Sequence, residues 1–221
     1  MMPISAGEIQ SGEIIVPKKY NGFLTKGQLC FTNKVMPNLA DDVKNTLSSL
    51  ISGTGDVVAS AQSVAKDNLV KAVSGVGTVV TSGTVAVTEV VTGGVEALSS
   101  AGSSVTDGVV GLVRGVVDGA KEVGVDTTEA VGEAASTAVH TVSNVGGDIG
   151  EAAVSVVRGA IEGAGDIGGD TAGLAISAVK GSLKAADEIG SDAGSLVRKA
   201  LLNAAVLPHD IIDALLTGKT E

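Results

Sequence analysis

Apolar side chains recur along residues 61–192 at steps of three and four, which is the period of one helix face. The pattern repeats every 22 residues and is marked by an acidic residue behind a glycine pair or Gly-x: Asp126, Asp148, Asp170 and Asp192. Six units follow from this spacing: 61–82, 83–104, 105–126, 127–148, 149–170 and 171–192. A fixed period over this length is typical of stacked supersecondary units. We therefore predict an all-α fold of tandem 22-residue amphipathic helical repeats.

Within a unit the apolar positions are the fifth, eighth, ninth, twelfth, thirteenth, sixteenth and nineteenth, and the thirteenth and nineteenth stand for this face below. We expect them to form the packing face, and its members are Val73, Val95, Val117, Val139, Ile161, Leu183, Val123, Val145, Ile167 and Ile189. The valine content by itself would favour strands. The period-2 alternation that a strand needs is missing, however, so the pattern favours helices.

The junctions between units predict where the helices end. In Gly146-Gly147-Asp148-Ile149-Gly150-Glu151, a glycine C-cap precedes an Asp N-cap with Glu three residues on, which is a capping-box spacing. The same reasoning predicts five helix caps: Ser104, Asp126, Asp148, Asp170 and Asp192. Glycine inside a helix costs about 1 kcal/mol relative to alanine, so glycines concentrated at one phase indicate helix ends.

Two architectures fit this period. The first consists of capped helices of roughly 18–19 residues, stacked as hairpins or as a solenoid, and the caps favour it. The alternative is one long kinked helix, because 22 is twice an 11-residue period that keeps an apolar stripe straight. Glycines four apart inside the units, Gly111, Gly115 and Gly119 and then Gly159 and Gly163, predict close approach of helix backbones.

The rest of the chain differs from the repeats. Residues 1–41 read as an N-terminal arm, extended or with short strands, and they hold all the aromatic side chains: Tyr20, Phe23 and Phe31. Aromatic anchors are typical of interface hot spots. Residues 42–60 contain a first helix over Val43–Ile51 and a linker, and 193–221 contain a degenerate repeat, interrupted by Pro208, and a C-terminal helix.

The charge of the chain argues against nucleic acid as a partner. The net charge is −10, divided into +2 for residues 1–40 and −12 for the remainder. An acidic body without aromatics is a poor match for nucleic acid, which selects basic patches and stacking platforms.

On the polar face, Arg114 and Asp118, and likewise Arg158 and Glu162, stand four apart and are expected to form exposed ion pairs.

Catalytic chemistry has few candidate residues. His140 is expected on the surface, His209 in a capping or surface role at the start of the last helix, and Cys30 as an incidental thiol. One Cys and two distant His make no standard zinc site, and no phosphate-loop or nucleophile-elbow motif is present. We therefore predict a protein that is not an enzyme, with no catalytic, metal-binding or cofactor-binding residues, no cofactor and no small-molecule substrate.

A cytoplasmic location is the default expectation. No basic segment followed by an apolar one opens the chain in the manner of a secretory signal. The longest uncharged run, Ala72–Thr88, is rich in Gly, Ser and Thr and slightly short for a membrane span.

The repeats resemble two families with 11-residue amphipathic repeats. Val142–Gly147 and Ile161–Ile167 are similar to the repeat region of synucleins, and Gly124–Thr128 is similar to the repeats of perilipins. Phasins, which coat bacterial granules, are a looser analogy. The resemblance covers roughly residues 60–200 and implies reversible adsorption of helices to lipid droplets, granules or membranes. Those families carry lysines beside the apolar face, whereas this chain is acidic there.

Two functions remain open from the sequence. One is a self-assembling helical scaffold, a filament or homo-oligomer subunit whose Val/Ala/Gly faces pack between repeats and copies, with the arm docking a neighbour or client. The other is a coat protein that lays its repeats on a lipid droplet, storage granule or membrane surface. Caps at every unit describe helices that fold in water, so they favour the scaffold.

Overall fold

The computed structural model describes residues 39–54, 56–74 and 79–204, which form eight α-helices and no strand. The helices are α1 (Leu39–Thr54), α2 (Val57–Ser74), α3 (Val79–Ser100), α4 (Val105–Val123), α5 (Thr127–Asn144), α6 (Ile149–Ile167), α7 (Thr171–Ile189) and α8 (Ser191–Asn203). The predicted all-α fold of short helices is confirmed, and the alternative of one long helix is wrong. The predicted arm anchors Tyr20, Phe23 and Phe31, and the predicted C-terminal helix with His209, lie outside the described residues.

The helices stack in two layers. Each helix packs against the next one and against the next but one. Helices α1, α3, α5 and α7 therefore lie side by side in an odd layer, and α2, α4, α6 and α8 in an even layer. A core made of valine, alanine and leucine runs between the layers. Among the described helices the stack is open, because the first pair does not pack against the last pair.

Glycines bring helices of one layer close together. A Cβ on Gly111 of α4 would collide with the carbonyl oxygen of Val58 in α2. In the same way, a Cβ on Gly159 of α6 would lie 2.8 Å from the carbonyl oxygen of Val110 in α4. These contacts confirm the close approach predicted from the glycine spacing, and they explain how a core without large side chains becomes dense.

Four of the five predicted caps begin helices as expected. The Asp126 and Asp148 carboxylates each accept two backbone N–H groups of the following first turn, at 2.8–3.0 Å. Asp170 and the Ser104 hydroxyl accept one each, at 2.9 and 3.2 Å. Each cap satisfies donors that the first turn of a helix leaves without an internal partner.

The preceding glycines end the helices. Gly124, Gly146 and Gly168 have φ of 73°, 76° and 63°, the left-handed conformation that glycine adopts without steric cost. After α4, the N–H of Val125 reaches back to the carbonyl oxygen of Ala120 at 2.9 Å, the six-to-one bond of a Schellman turn. Each of these three junctions therefore pairs a glycine stop with an aspartate start.

The prediction for Asp192 is wrong. Helix α8 starts at Ser191, with Gly190 in the cap position and no side-chain cap hydrogen bond. The turn between α7 and α8 has one residue instead of three or four, so Asp192 already lies in the first turn. There its charge favours the helix N-terminus through the dipole, without capping it.

The predicted boundaries hold in the second half of the array and shift in the first. Helices α4 to α7 begin at the first residue of their units, 105, 127, 149 and 171. Helices α2 and α3 begin four residues before theirs, so residue 82 lies inside α3, and α1 already begins at Leu39 rather than after 41. In this part of the array the described helices end at Thr54 and Ser74, which does not match the 22-residue phase.

The predicted packing face lies mostly in the core. Its buried members are Val73, Val95, Val117 and Val139. Its partly buried members, packed against the same core, are Ile161, Leu183, Val123, Val145 and Ile167. Ile189 is an error of the prediction, because it is 37% exposed. It is the last residue of α7, directly before the turn at Gly190.

Substituting an aspartate that caps a helix is expected to destabilise the protein more than substituting one that does not. Asp148→Ala removes two hydrogen bonds to α6 and should lower the free energy of unfolding by about 1 kcal/mol. Asp192→Ala removes only a dipole interaction and should cost less, about 0.5 kcal/mol. Urea denaturation followed by circular dichroism measures both; equal losses would contradict the capping assignment.

Candidate interaction surfaces

Polar side chains on the outside of the even layer join each helix to its next-but-one neighbour. The Lys66 ammonium of α2 lies 2.9 Å from the Glu122 carboxylate of α4. One turn earlier, the Gln62 side-chain amide donates to Asp118 at 2.8 Å. The hydrogen bond and charge of Glu122 raise the pKa of Lys66 above its ordinary value. This ammonium is therefore charged throughout the physiological pH range.

Arg114 is the most connected of these residues. Its guanidinium reaches from α4 to two acids of α6, Glu162 at 3.3 Å and Asp166 at 2.6 Å. Further along α4, the Lys121 ammonium donates to the main-chain oxygen of Ile167 at 2.6 Å. That oxygen belongs to the last turn of α6, where carbonyl groups lack partners inside the helix. The cations of α4 thus hold the C-terminal half of α6.

The partners predicted for two of these cations are wrong. Pairs within one helix were expected for Arg114 with Asp118 and for Arg158 with Glu162. Instead Arg114 binds Glu162 of α6, and Arg158 of α6 reaches back to Asp107 of α4 at 3.3 Å. Helix-to-helix bonds fix the lateral register of neighbours, which pairs within a helix cannot do.

The odd layer carries a similar but sparser set. Lys44 of α1 pairs with Glu96 of α3 at 3.2 Å, and the His140 imidazole of α5 lies 2.9 Å from Glu188 of α7. His140 is partly exposed, in agreement with the predicted surface position. The pairs Arg114–Glu162 and His140–Glu188 both span 48 residues, two units and one helical turn. Acid–base pairs at that separation were the signal in the sequence that could have revealed the two-layer stack.

A shallow groove of about 250 Å³ separates α5 from α7 on the odd layer. Its lining is polar, and consists of Thr128, Glu129, Gly132, Glu133, Ser136, Ser177, Lys180, Gly181 and Lys184. The groove exists because the helices meet at glycine: a Cβ on Gly181 would collide with the carbonyl oxygen of Gly132. Opposite charges balance across it, so the groove has no preference for a cation or an anion.

Chemically reactive groups are sparse in the part of the chain that the structure describes. No cluster of three or more His, Cys, Asp or Glu there could hold a metal ion. The one buried serine oxygen without a hydrogen-bond partner among those residues is Ser182 Oγ, on a fully buried residue of α7. The ion pairs described above join neighbouring helices of one layer and so align them.

The Arg114 bridge gives a test of that role. Arg114 has a side chain only 24% exposed, and Arg114→Gln should lower the free energy of unfolding by about 1 kcal/mol, because two acids of α6 lose their cation. Arg198→Gln is the matched control, since that side chain is 53% exposed and its bridge to Asp187 should contribute about 0.5 kcal/mol or less. Urea titrations at low and high NaCl should show the Arg114 difference shrinking with salt. A salt-independent difference would contradict an electrostatic origin.

Charge is distributed unequally along the stack. Residues 39–170 hold 6 Lys and Arg against 17 Asp and Glu, a net charge of −11. Residues 171–204, which form α7 and α8, hold 4 against 3, a net charge of +1. The last helix pair is therefore electrostatically different from the rest of the body.

The two ends of the stack also differ in polarity. In α1, Ala40 and Lys44 face α3, so helical geometry places Asp42 and Ser49 on the opposite, outermost edge, where both are exposed. We call this surface the α1 edge. In α7, Gly181 faces α5, so Ile176 and Leu183 lie on the side away from the stack.

The last even-layer helix continues that apolar side. In α8, Ala200 faces Gly150 of α6, which places Leu202 on the outermost side, where it is 38% exposed. We call Ile176, Leu183 and Leu202 the α7–α8 edge. The exposed Arg198, which pairs with Asp187 at 3.0 Å, lies on the same side of α8 as Leu202, so this edge carries both apolar and charged side chains.

These features define a tandem helical-repeat protein, in which units of one helix each stack in two layers. No protein-family model matches the chain. No curated protein matches it either. None of the described helices is both long and apolar enough to cross a membrane.

Proposed function

We propose that this chain is a non-catalytic structural protein, a helical scaffold that assembles with further copies of itself. The observation that carries the proposal is the open two-layer stack: among the described helices, α1 and α8 each pack against two others, whereas α3 to α6 each pack against four. Repeat arrays of this kind grow by adding units at their ends, and they need polar caps to stop.

The modular construction supports a structural role over a catalytic one. An active site is singular, whereas here the same caps, glycine contacts and cross-helix bonds recur from unit to unit. The proposal also assigns a role to residues 1–41, whose aromatic anchors would dock a neighbouring copy or a client.

The alternative, a coat on a lipid droplet, granule or membrane surface, needs the apolar face to be free. In the stack, Val95, Val117 and Val139 are fully buried between helices. Adsorption through that face would require the layers to separate, and the caps and cross-helix bonds would then be unused. The packing therefore favours the scaffold.

Sedimentation velocity over a range of concentrations, combined with circular dichroism, tests the proposal. We expect strong helicity in plain buffer and a mass that grows with protein concentration. A monomer at every concentration would remove the scaffold function. Helicity that develops only on adding neutral or weakly anionic vesicles would support the coat instead.

A further inference from the structure

The junction between α7 and α8 consists of one residue, Gly190. Its N–H donates to the carbonyl oxygen of Ala186 at 3.0 Å, as the next residue of α7 would. Its own carbonyl oxygen accepts from the N–H of Gly194 at 3.0 Å, as it would inside a continuous helix. Gly190 therefore takes part in the hydrogen bonding of both helices, and the chain turns between them at its φ of 156° and ψ of 164°.

This junction lacks the hydrogen bonds that complete the others. After α4, the N–H of Val125 and the carboxylate of Asp126 satisfy main-chain groups on the two sides of the turn. At the start of α8, no acceptor among the described residues faces the N–H groups of Ser191, Asp192 and Ala193. In one continuous helix, each of these groups would donate to the carbonyl oxygen four residues earlier. A helical conformation at Gly190 would therefore add three hydrogen bonds within the helix.

The apolar face of α7 would continue into α8 if the junction were straight. Val197 and Leu201, which are buried in α8, stand 22 residues after Ala175 and Val179, which are buried in α7. Because 22 residues fill about six helical turns, both pairs would lie on one side of a continuous helix over residues 171–203. The sequence across Gly190 is therefore compatible with a turn and with a straight amphipathic helix.

Helix α8 is held by few buried residues. It buries three of its 13 residues, whereas α4 buries 11 of its 19. Its site consists of α6 and α7, and Leu196 and Ala200 lie there over Gly150 of α6. The free energy of local opening is lowest where few apolar side chains are buried, so α8 can leave this site while the rest of the stack stays folded. The empty site then fits another α8 of the same sequence.

We propose that Gly190 is a hinge, and that two copies of this chain exchange α8 across it. In the dimer, α7 and α8 of each copy form one continuous helix, and α8 occupies the site on α6 and α7 of the other copy. The two long helices lie antiparallel, as α7 and α8 do within one chain. The ion pair of Arg198 with Asp187 re-forms between the copies, and the chain after α8 is exchanged with it. This inference rests on the proposed function of self-assembly and names the element through which two copies associate.

Gly190→Ala should strengthen the exchange. Alanine is favoured over glycine inside a helix by a factor of about five, and it is disfavoured at a φ of 156°. Two hinges straighten in each dimer, so we expect the dimerisation constant of the full-length chain to rise by about 25-fold or more. Sedimentation equilibrium measures this constant. Gly165→Ala is the matched control, because it makes the same chemical change away from the hinge and should leave the constant unchanged.

Ser191→Pro should weaken the exchange. Ser191 is the first residue of α8, a position that suits proline, and Gly190 before it is extended, as a residue before proline prefers. Inside a continuous helix, however, proline would remove a hydrogen bond and clash with the preceding turn. We therefore expect the dimerisation constant to fall by about 100-fold or more, while the monomer keeps its helicity and melting temperature.

Opposite shifts by the two hinge variants are the result expected of α8 exchange, because association through an outer surface would respond to neither. Wild-type self-association that both variants leave unchanged would overturn the hinge and leave the scaffold function intact. Wild-type and Gly190→Ala chains that are both monomeric at every concentration would remove the hinge and the scaffold function together. A Ser191→Pro monomer that melts at a lower temperature than the wild-type chain would contradict the turn from which the inference starts.

Discussion

Replacing Gly115 by alanine is expected to lower the free energy of unfolding by about 2 kcal/mol, although alanine is the better helix former. The new Cβ would collide with the carbonyl oxygen of Gln62 and lie 2.7 Å from the Cβ of Ala65. Both atoms belong to the α2 backbone or are attached directly to it, so no side-chain rotation can relieve the contact. The even layer must open at this point, and the loss of packing outweighs the propensity gain of about 1 kcal/mol.

Gly165→Ala is the matched control for that substitution. Gly165 lies in the last turns of α6, and a Cβ there would meet nothing within 4 Å. The same chemical change should therefore stabilise the protein, by about 0.5–1 kcal/mol. Urea denaturation of both variants compares the signs directly. Stabilisation by both would mean that α2 and α4 do not approach through glycine.

Leu112→Ala is expected to cost about 3 kcal/mol, since the leucine is fully buried between the layers. Its side chain fills the space over Gly94 of α3: a Cβ on Gly94 would lie 2.5 Å from Leu112 Cδ2. The contact is reciprocal, because Leu98 of α3 lies over Gly108 of α4 in the same way. The two helices therefore interlock, each placing a leucine on the glycine of the other.

A double-mutant cycle tests this interlocking. Gly94→Ala alone should destabilise the protein, because the methyl group displaces the leucine. In the Leu112→Ala background the same change should cost less, or stabilise, because it partly fills the cavity. Thermal and urea unfolding give the coupling; additive effects would contradict the contact. Val85→Ala, at a side chain that is 50% exposed, is the control and should change stability by about 0.5 kcal/mol or less.

Local signals in the sequence predicted the units better than their arrangement. A glycine stop and an aspartate start stand within four residues of each other, so Gly146 and Asp148 identify a junction without any knowledge of the fold. Asp192 has the same local signal, but a shorter turn at Gly190 moves the helix start before it. Turn length depends on how α7 and α8 pack, and no nearby residue encodes that packing.

The ion pairs between helices could not be predicted from neighbouring residues, for a related reason. Arg114 has Asp118 one turn away, yet it binds Glu162 and Asp166 on another helix. Which carboxylate Arg114 binds depends on the distance between α4 and α6. That distance is set by Gly159 and Gly163. The glycine ladders were visible in the sequence, but the helix that each one faces follows only from the two-layer order.

Alternation between the layers constrains how the length of such a chain can change. Removing one 22-residue unit would transfer every later helix to the opposite layer, and Glu162 would then sit on a consecutive helix instead of beside Arg114. Removing or inserting two units, 44 residues, would leave each later helix in its own layer. The smallest duplication that preserves the architecture is therefore a pair of helices, although the period written in the sequence is that of one.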